Sequence, residues 1–165
     1  MTGETTTVTA TVATAAPTER RFAFDFGDGR RWIASRAVLT EIPIGASLQL
    51  LPNAPPMLAG AINVRGAIRL VFDPLRFAGE IPAEAGAGQR RILLIDRDEH
   101  CAGVLISGEP VLVEIRPDPA PYDAGPFTPF VHQVWADNHG RPVYEFDHRQ
   151  WFKHLRGGSS SNADT

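Results

Sequence analysis

The chain has 165 residues, a net charge of −3 and 43% hydrophobic residues, so it is long enough for one ordinary domain or for two small halves. It contains no apolar run of the roughly eighteen residues that a membrane-spanning helix needs, and residues 1–4 lack the basic and apolar parts of a secretory signal. The single cysteine, Cys101, excludes an internal disulfide and a cysteine-rich metal site, and the mild acidity disfavours a dedicated nucleic-acid binder, so we expect a cytoplasmic protein without direct membrane insertion.

Two segments of low complexity flank the predicted folded part. Residues 1–18 are dominated by threonine and alanine, and residues 157–165 by glycine, serine and other small or polar residues. Neither segment has enough apolar side chains to offset the entropy lost on ordering. We therefore predict disordered tails at 1–18 and 157–165 and a single folded domain at 19–156.

The first half of the folded part is predicted to form short strands. Phe22, Phe24 and Phe26 alternate with smaller or polar residues, the period of a half-buried strand. A tight turn at 27–29 leads into residues 30–35, which predicts a hairpin. Further strands are predicted at 47–51 and 67–73, each stopped by a proline, with a single helical turn or an irregular segment at 55–60.

The second half follows the same pattern and ends in a helix. A glycine-rich loop at 83–88, a turn at Ser107-Gly108 and a proline-rich loop at 117–129 separate the predicted strands. These strands cover residues 91–96, 101–106, 111–115, 130–135 and 142–146. Asp147 is the predicted N-cap of a terminal helix, with apolar residues following at helical spacing. About nine short strands with little helix predict an all-β fold of barrels or a sandwich.

The sequence carries no motif that predicts catalysis, a metal site or a cofactor. The glycine-rich stretch at 86–91 lacks the third glycine of a dinucleotide-binding loop and precedes a strand instead of following one. His100 lies beside Cys101 and Asp147 beside His148, but neighbouring residues in a strand point to opposite faces. The five histidines include no His-x-x-x-His pair. An enzyme using Cys101, Asp147 or His148 remains a hypothesis without supporting geometry.

The most informative stretch runs from residue 52 to Asp73. Prolines fix the approach to Gly60, and an apolar segment then contains Asn63 and Arg65. The asparagine side chain can close a turn. An arginine between apolar neighbours is either a paired structural residue or an anchor for a protein partner, and the residues alone favour the structural role.

This stretch resembles the CheW family, the adaptors of bacterial chemosensory arrays. In that family a Pro-x-Ala-Pro approach leads to Gly-x-x-Asn-Leu-Arg-Gly and an apolar strand ending in Asp; here residues 60–66 read Gly-Ala-Ile-Asn-Val-Arg-Gly and the strand ends at Asp73. Residues 22–26 and 38–42 also match, the latter resembling a Val-x-Glu-Ile segment. The later predicted strands and the helix follow in the family's order, so the resemblance covers roughly residues 20–155.

The resemblance implies two small five-stranded SH3-like β-barrels around a shared hydrophobic core, with a short C-terminal helix and no catalysis. It implies an adaptor that couples the cytoplasmic tip of a chemoreceptor to the regulatory domain of a CheA-type histidine kinase. Carried over to this chain, the receptor-facing groove would include Arg65, Asn63, Gly60, Leu39 and Glu41. The kinase-facing surface would come from exposed positions of the first barrel.

Departures from the family pattern leave the pathway open. Leu70 stands where the family commonly has proline, Val64 replaces leucine, and residues 107–108 replace a Val-Asp pair. These differences indicate a divergent member, in which the output is either flagellar chemotaxis or the twitching motility of type IV pili. A second class also stays open, a small β-barrel that binds single-stranded nucleic acid through the phenylalanine-rich strand and the paired arginines.

Overall fold

The computed structural model describes residues 16–80, 90–118 and 120–157. Within them the chain forms nine β-strands and two α-helices: β1 (Glu19–Asp25), β2 (Arg31–Ala34), β3 (Thr40–Glu41), β4 (Leu58–Val64), β5 (Ala67–Phe72), α1 (Pro74–Phe77), β6 (Arg90–Ile95), β7 (Ala102–Pro117), β8 (Val131–Asp137), β9 (Pro142–Phe146) and α2 (His148–Gly157). The fold is therefore mostly β with a short C-terminal helix, as predicted. No helix in these ranges is long and apolar enough to cross a membrane.

Parts of the predicted boundaries fall outside this description. The structure does not describe residues 1–15 and 158–165, which make up most of the two predicted tails, or the predicted glycine-rich loop at 83–88. Residues 16–18 precede β1 without regular structure, and Gly157 is the last residue of α2.

The long strand β7 belongs to two groups of strands. Its C-terminal part pairs with β1 and β8, while β1 pairs with β2, β2 with β9, and β9 with β8. Its N-terminal part pairs with β5 and β6, which pair in turn with β4 and β3. Counting β7 in both, each group has five strands. We call them the first group (β1, β2, β7, β8, β9) and the second group (β3, β4, β5, β6, β7).

The largest hydrophobic cluster contains residues from both groups. Phe24 and Phe146 of the first group, Phe72 of the second group and Trp151 of α2 all belong to it. The Trp151 ring centroid lies 5.5 Å from that of Phe146 and 5.9 Å from that of Phe72. Two smaller clusters consist of residues from one group each. Burial of the amphipathic face of α2 therefore joins the two groups, since one side chain packs against both.

Two elements predicted just before the motif at residues 60–66 are wrong. The strand predicted at 47–51 consists of a single bridge between Gln49 and Ala61. Residues 58–60, predicted to be irregular or helical, begin β4, because Leu58 pairs with Phe72 across the hairpin. Tertiary pairing thus outweighs the local proline signal, since β5 supplies hydrogen-bond partners that the proline-flanked segment lacks.

Three further features were missed or wrongly predicted. Residues 107–108, predicted as a turn, lie inside β7, where a register shift between Ala23 and Asp25 of β1 accommodates the bend. The proline that ends β5 begins the short helix α1, which was not predicted; proline is tolerated in the first helical turn, and Asp73 caps it. The proline-rich loop contains the 3₁₀ helix Gly125–Phe130, which buries Phe127 in the shared core.

Candidate protein-interaction site

Asn63 and Arg65 of the motif at residues 60–66 lie at the turn between β4 and β5. Val64 pairs with Ala67, so Arg65 and Gly66 are the two loop residues of the hairpin. Their φ angles are +52° and +83°, the positive values that a two-residue hairpin turn of type I′ requires. The Asn63 side-chain oxygen accepts a hydrogen bond from the Gly66 backbone N–H at 3.0 Å. The motif therefore builds a fixed turn with Arg65 at its tip.

Arg65 forms a two-pronged ion pair with Glu41 on β3. Its Nη2 lies 2.6 Å from Oε1, and its Nη1 lies 3.3 Å from Oε2. The Arg65 side chain is nevertheless 76% exposed. Arg65 is thus paired, as the structural interpretation requires, but solvent-exposed ion pairs contribute only about 0–1 kcal/mol to stability.

Replacing Arg65 with alanine should leave the fold nearly as stable as before. We expect the free energy of unfolding to change by less than about 1 kcal/mol, because only an exposed ion pair is lost. Urea denaturation of the wild type and the Arg65→Ala variant measures this. The Arg65→Gly variant serves as a control, since glycine adopts the positive φ without strain and should be at least as stable as Arg65→Ala. A loss of 3 kcal/mol or more would indicate a structural role.

A cleft of about 310 Å³ lies beside this ion pair. Glu41, Asn63, Val64 and Arg65 line one part of it, and residues 42–46 line the rest. Ile44 in the latter segment is fully exposed. The surface therefore places the Arg65–Glu41 ion pair, the Asn63 amide and the apolar side chain of Ile44 around one cleft. This combination is suited to binding a protein partner.

The other two predicted groove residues lie elsewhere. Gly60 is buried, and its neighbour Ala61 exchanges two backbone hydrogen bonds with Gln49. Leu39 is 51% exposed, but it does not line the cleft, and its carbonyl accepts a hydrogen bond from the Asp96 N–H. The structure thus brings three of the five predicted residues together, Glu41, Asn63 and Arg65, whereas Gly60 supports the strand behind them.

A second cleft, of about 440 Å³, adjoins the first and shares Glu41, Ile42 and Ile44 with it. It lies where the two groups meet, since Phe22 of β1 and Arg91 of β6 both line it. Sequence reasoning missed this surface because the alternation of residues 22–26 indicated burial for all three phenylalanines. Phe22 is in fact 63% exposed.

Comparisons with known proteins identify the family. A family model described as a CheW-like domain matches residues 23–156, most of the chain. The chain belongs to the CheW family. The crystal structure of the scaffolding protein TtCheW from Thermoanaerobacter tengcongensis has a similar fold, with a TM-score of 0.60, 18% sequence identity, and coverage of 79% of this chain and 89% of that chain. A search of curated proteins finds no significant match.

Membership of the CheW family, whose members are adaptors, agrees with the expectation that the chain is not an enzyme. In this CheW-like domain, His148 does not contact its neighbour Asp147 as a catalytic pair. It is buried, and its Nε2 lies 2.7 Å from Oδ2 of Asp96, which also accepts from Arg149 Nε at 2.8 Å. Burial raises the pKa of the Cys101 thiol, which disfavours the reactive thiolate. The geometry therefore supports structural roles for these groups.

The nucleic-acid alternative loses its main support. Phe24 and Phe26 are 4% and 0% exposed and pack into the shared core of the CheW-like domain. Base stacking requires exposed aromatic faces in succession along a groove. Phe22 alone among these three rings could meet a base, so the strand offers no stacking platform.

Two aspartates with largely covered side chains, Asp96 and Asp137, hold loops of the CheW-like domain in place. Burial by itself would raise the pKa of Asp96, but hydrogen bonds from Arg149 and His148 outweigh it and hold that pKa well below the ordinary value. Burial likewise opposes ionisation of Asp137. The backbone N–H groups of Arg141 and His139, together with the Arg141 guanidinium, lower the pKa of Asp137 despite this.

The CheW-like domain should lose stability in acid. Both carboxylates have folded pKa values below the 3.8 of an ordinary aspartate, so their contribution is complete above about pH 5 and is lost as the pH falls through the folded values. Urea denaturation between about pH 6 and 2 measures this. The Asp137→Asn variant should show a shallower decline than the wild type, whereas neutralising the exposed carboxylate in Asp98→Asn should not. Identical slopes for all three proteins would contradict the account.

Proposed function

We propose that this CheW-like domain is a non-catalytic adaptor that couples the cytoplasmic tip of a chemoreceptor to the regulatory domain of a CheA-type histidine kinase. The observation that carries the proposal is the exposed Arg65, fixed at the tip of a hairpin turn and paired with Glu41. An arginine that contributes little to stability but is held in one place is preorganised for a partner. Arginine is also among the residue types enriched where binding energy concentrates.

The receptor-facing surface comprises the two adjoining clefts. Arg65, Glu41 and Asn63 supply polar and charged groups, while Ile44 and Phe22 supply exposed apolar area. An apolar centre with a polar rim is the usual anatomy of a protein interface. Leu39 and Gly60 act by holding β3 and β4 in position.

The two groups of strands correspond in this proposal to two SH3-like barrels, spanning the domain at 19–156. Pairings among β1, β2, β9, β8 and β7 run in a closed cycle, which supports a barrel for the first group. The kinase regulatory domain binds exposed positions of this first group, and the receptor binds where the groups meet. Because the receptor and the kinase domain then bind the same folded core, the position of one partner constrains the position of the other without any covalent step.

The same role serves either of two pathways in the cytoplasm. Coupling of receptor to kinase controls flagellar chemotaxis or the twitching motility of type IV pili, and the family match applies equally to both. The protein would associate with the membrane only through receptor arrays.

Loss of the Arg65 side chain should weaken receptor binding without affecting kinase binding. We expect Arg65→Ala to cost about 2 kcal/mol, or roughly a 30-fold increase in Kd for a purified receptor tip. The Kd for the kinase regulatory domain should change less than about 2-fold. Arg116→Ala, which removes an exposed arginine of the first group, is the matched control for the receptor measurement. Unchanged receptor binding in Arg65→Ala would contradict the assignment of this surface.

A further inference from the structure

The exposed face of α2 concentrates positive charge in an otherwise acidic chain. The helix contains Arg149, Lys153 and Arg156 and no acidic residue. The chain as a whole has a net charge of −3, so the +3 of the helix leaves −6 for the rest. At spacings of four and three residues the three side chains follow one stripe of the helix. The stripe is about 10 Å long, and we call it the α2 basic stripe.

Most of this charge is not neutralised within the described residues. Arg149 pairs with the carboxylate of Asp96, which His148 also contacts. In the described part of the chain, neither Lys153 nor Arg156 lies within ion-pair distance of a carboxylate. Both side chains are exposed. Two cations therefore remain available on the stripe.

Clefts flank the stripe on both sides and share two of its residues. The smaller, of about 280 Å³, is lined by His100, Arg149, Lys153 and Arg156 around the ring of Phe152, and none of the described residues that line it is acidic. Glu99 contacts His100 at 3.7 Å but does not line this cleft. The larger is a broad groove in which Pro129 and Phe130 join Arg149 and Lys153; it also includes Asp147, Gln150, His154 and Gly157. The cationic side chains of the stripe therefore have apolar residues on both sides, Phe152 in the smaller cleft and Pro129 and Phe130 in the larger.

We propose that the α2 basic stripe docks an acidic segment of a partner protein, with carboxylates meeting Lys153 and Arg156 and an apolar side chain lying against the exposed Pro129. Charge complementarity at a rim, beside apolar area, steers association and fixes register. Arg149 joins the contact while remaining tied to Asp96. The proposal uses no residue of the Arg65 surface, so the two can fail separately.

An acidic peptide fits this surface better than a nucleic acid or a small anion. A nucleic acid would meet only about 10 Å of positive surface on a chain that is acidic elsewhere, whereas single-strand binders follow the backbone along a longer basic groove. A small anion would find flexible exposed side chains instead of fixed backbone N–H donors. Carboxylates spaced along a peptide match cations spaced along a helix.

The chain offers a selective chemical test because Lys153 is its only lysine. Carbodiimide activation of an N-acetylated, C-amidated twelve-residue peptide of alternating glutamate and leucine should give an amide cross-link at Lys153. Fluorescence anisotropy of the same peptide, labelled and at about 50 mM salt, measures its Kd for the full chain. A glutamine-for-glutamate peptide is the uncharged control.

Two pairs of variants make the outcome decisive. Lys153→Glu/Arg156→Glu should raise the Kd at least 10-fold, while Arg20→Glu/Arg116→Glu, with the same change in net charge at exposed positions of the first group, should raise it less than 3-fold. Lys153→Arg should keep the affinity but lose the cross-link, and adding Arg20→Lys to it should not restore the cross-link. Equal losses in both charge-reversal variants, or equal cross-linking at position 20, would overturn the proposal. Tighter binding of a single-stranded oligonucleotide, or displacement of the peptide by phosphate beyond the effect of chloride at equal ionic strength, would also overturn it.

Discussion

Replacement of Asp73 by alanine should lower the free energy of unfolding by about 3–5 kcal/mol, the usual cost of removing one partner of a buried ion pair. Asp73 is 2% exposed. Its carboxylate accepts hydrogen bonds from both terminal nitrogens of Arg90, at 2.6 and 2.9 Å, and caps α1 through the Leu75 N–H at 3.1 Å. The variant leaves the guanidinium of Arg90 largely buried without a partner and removes the helix cap.

A second substitution separates the charge from the cap. Asp73→Ala combined with Arg90→Met should be more stable than Asp73→Ala alone, because no unpaired buried charge is then left; Arg76, which also contacts Asp73 at 3.4 Å, is 55% exposed. Denaturant titrations of the four proteins form a double-mutant cycle. Glu41→Ala, which breaks the exposed pair with Arg65, should cost less than about 1 kcal/mol in the same assay. If Asp73→Ala costs no more than Glu41→Ala, the buried pair does not hold this end of β5.

Substituting Gly60 with alanine should cost roughly 3 kcal/mol, from backbone strain and overpacking together. An ideal Cβ at Gly60 would lie 2.2 Å from the backbone oxygen of Gln49, and the residue has a φ of +154°. That oxygen accepts the Ala61 N–H at 2.9 Å. The methyl group must therefore displace the bridge between residues 49 and 61, which packs the segment before β4 onto the sheet.

Gly66 provides the matched control for this substitution. It also has a positive φ, +83°, but among the described residues no atom beyond its two chain neighbours lies within 4 Å of its ideal Cβ. Gly66→Ala should therefore cost only the conformational strain, about 1–2 kcal/mol. Thermal unfolding compares the two variants directly. Equal losses of stability would mean that the contact with Gln49 yields easily and that only the positive φ of Gly60 disfavours a side chain there.

Features with a local cause could be predicted from the sequence. The hairpin of β1 and β2 follows from a glycine turn between alternating strands, and Asp147 caps α2 as predicted, accepting from the Gln150 N–H at 3.0 Å. Burial of Phe22 was wrongly predicted for a reason that lies outside the strand. Its partner on β7, Leu112, is itself 46% exposed, so no element of the described residues covers that end of the pair.

The candidate site depends on contacts between distant residues. Nothing in the sequence around Glu41 indicates that Arg65 is its partner, and only the family resemblance placed them together before the structure joined them. The same limit applies to Asp96 and His148, which lie 52 positions apart. Gly60 matched the motif, but the motif does not say why glycine is required there. The requirement is steric, because the atom nearest to an added Cβ belongs to the backbone of Gln49.

The most direct test of the adaptor role is a calorimetric titration of the full chain with a CheA-type regulatory domain, with a receptor tip, and with each in the presence of the other. The account predicts micromolar binding of both partners at the same time, with Arg65→Ala weakening only the receptor. Failure to bind either partner, or mutual exclusion of the two, would contradict it.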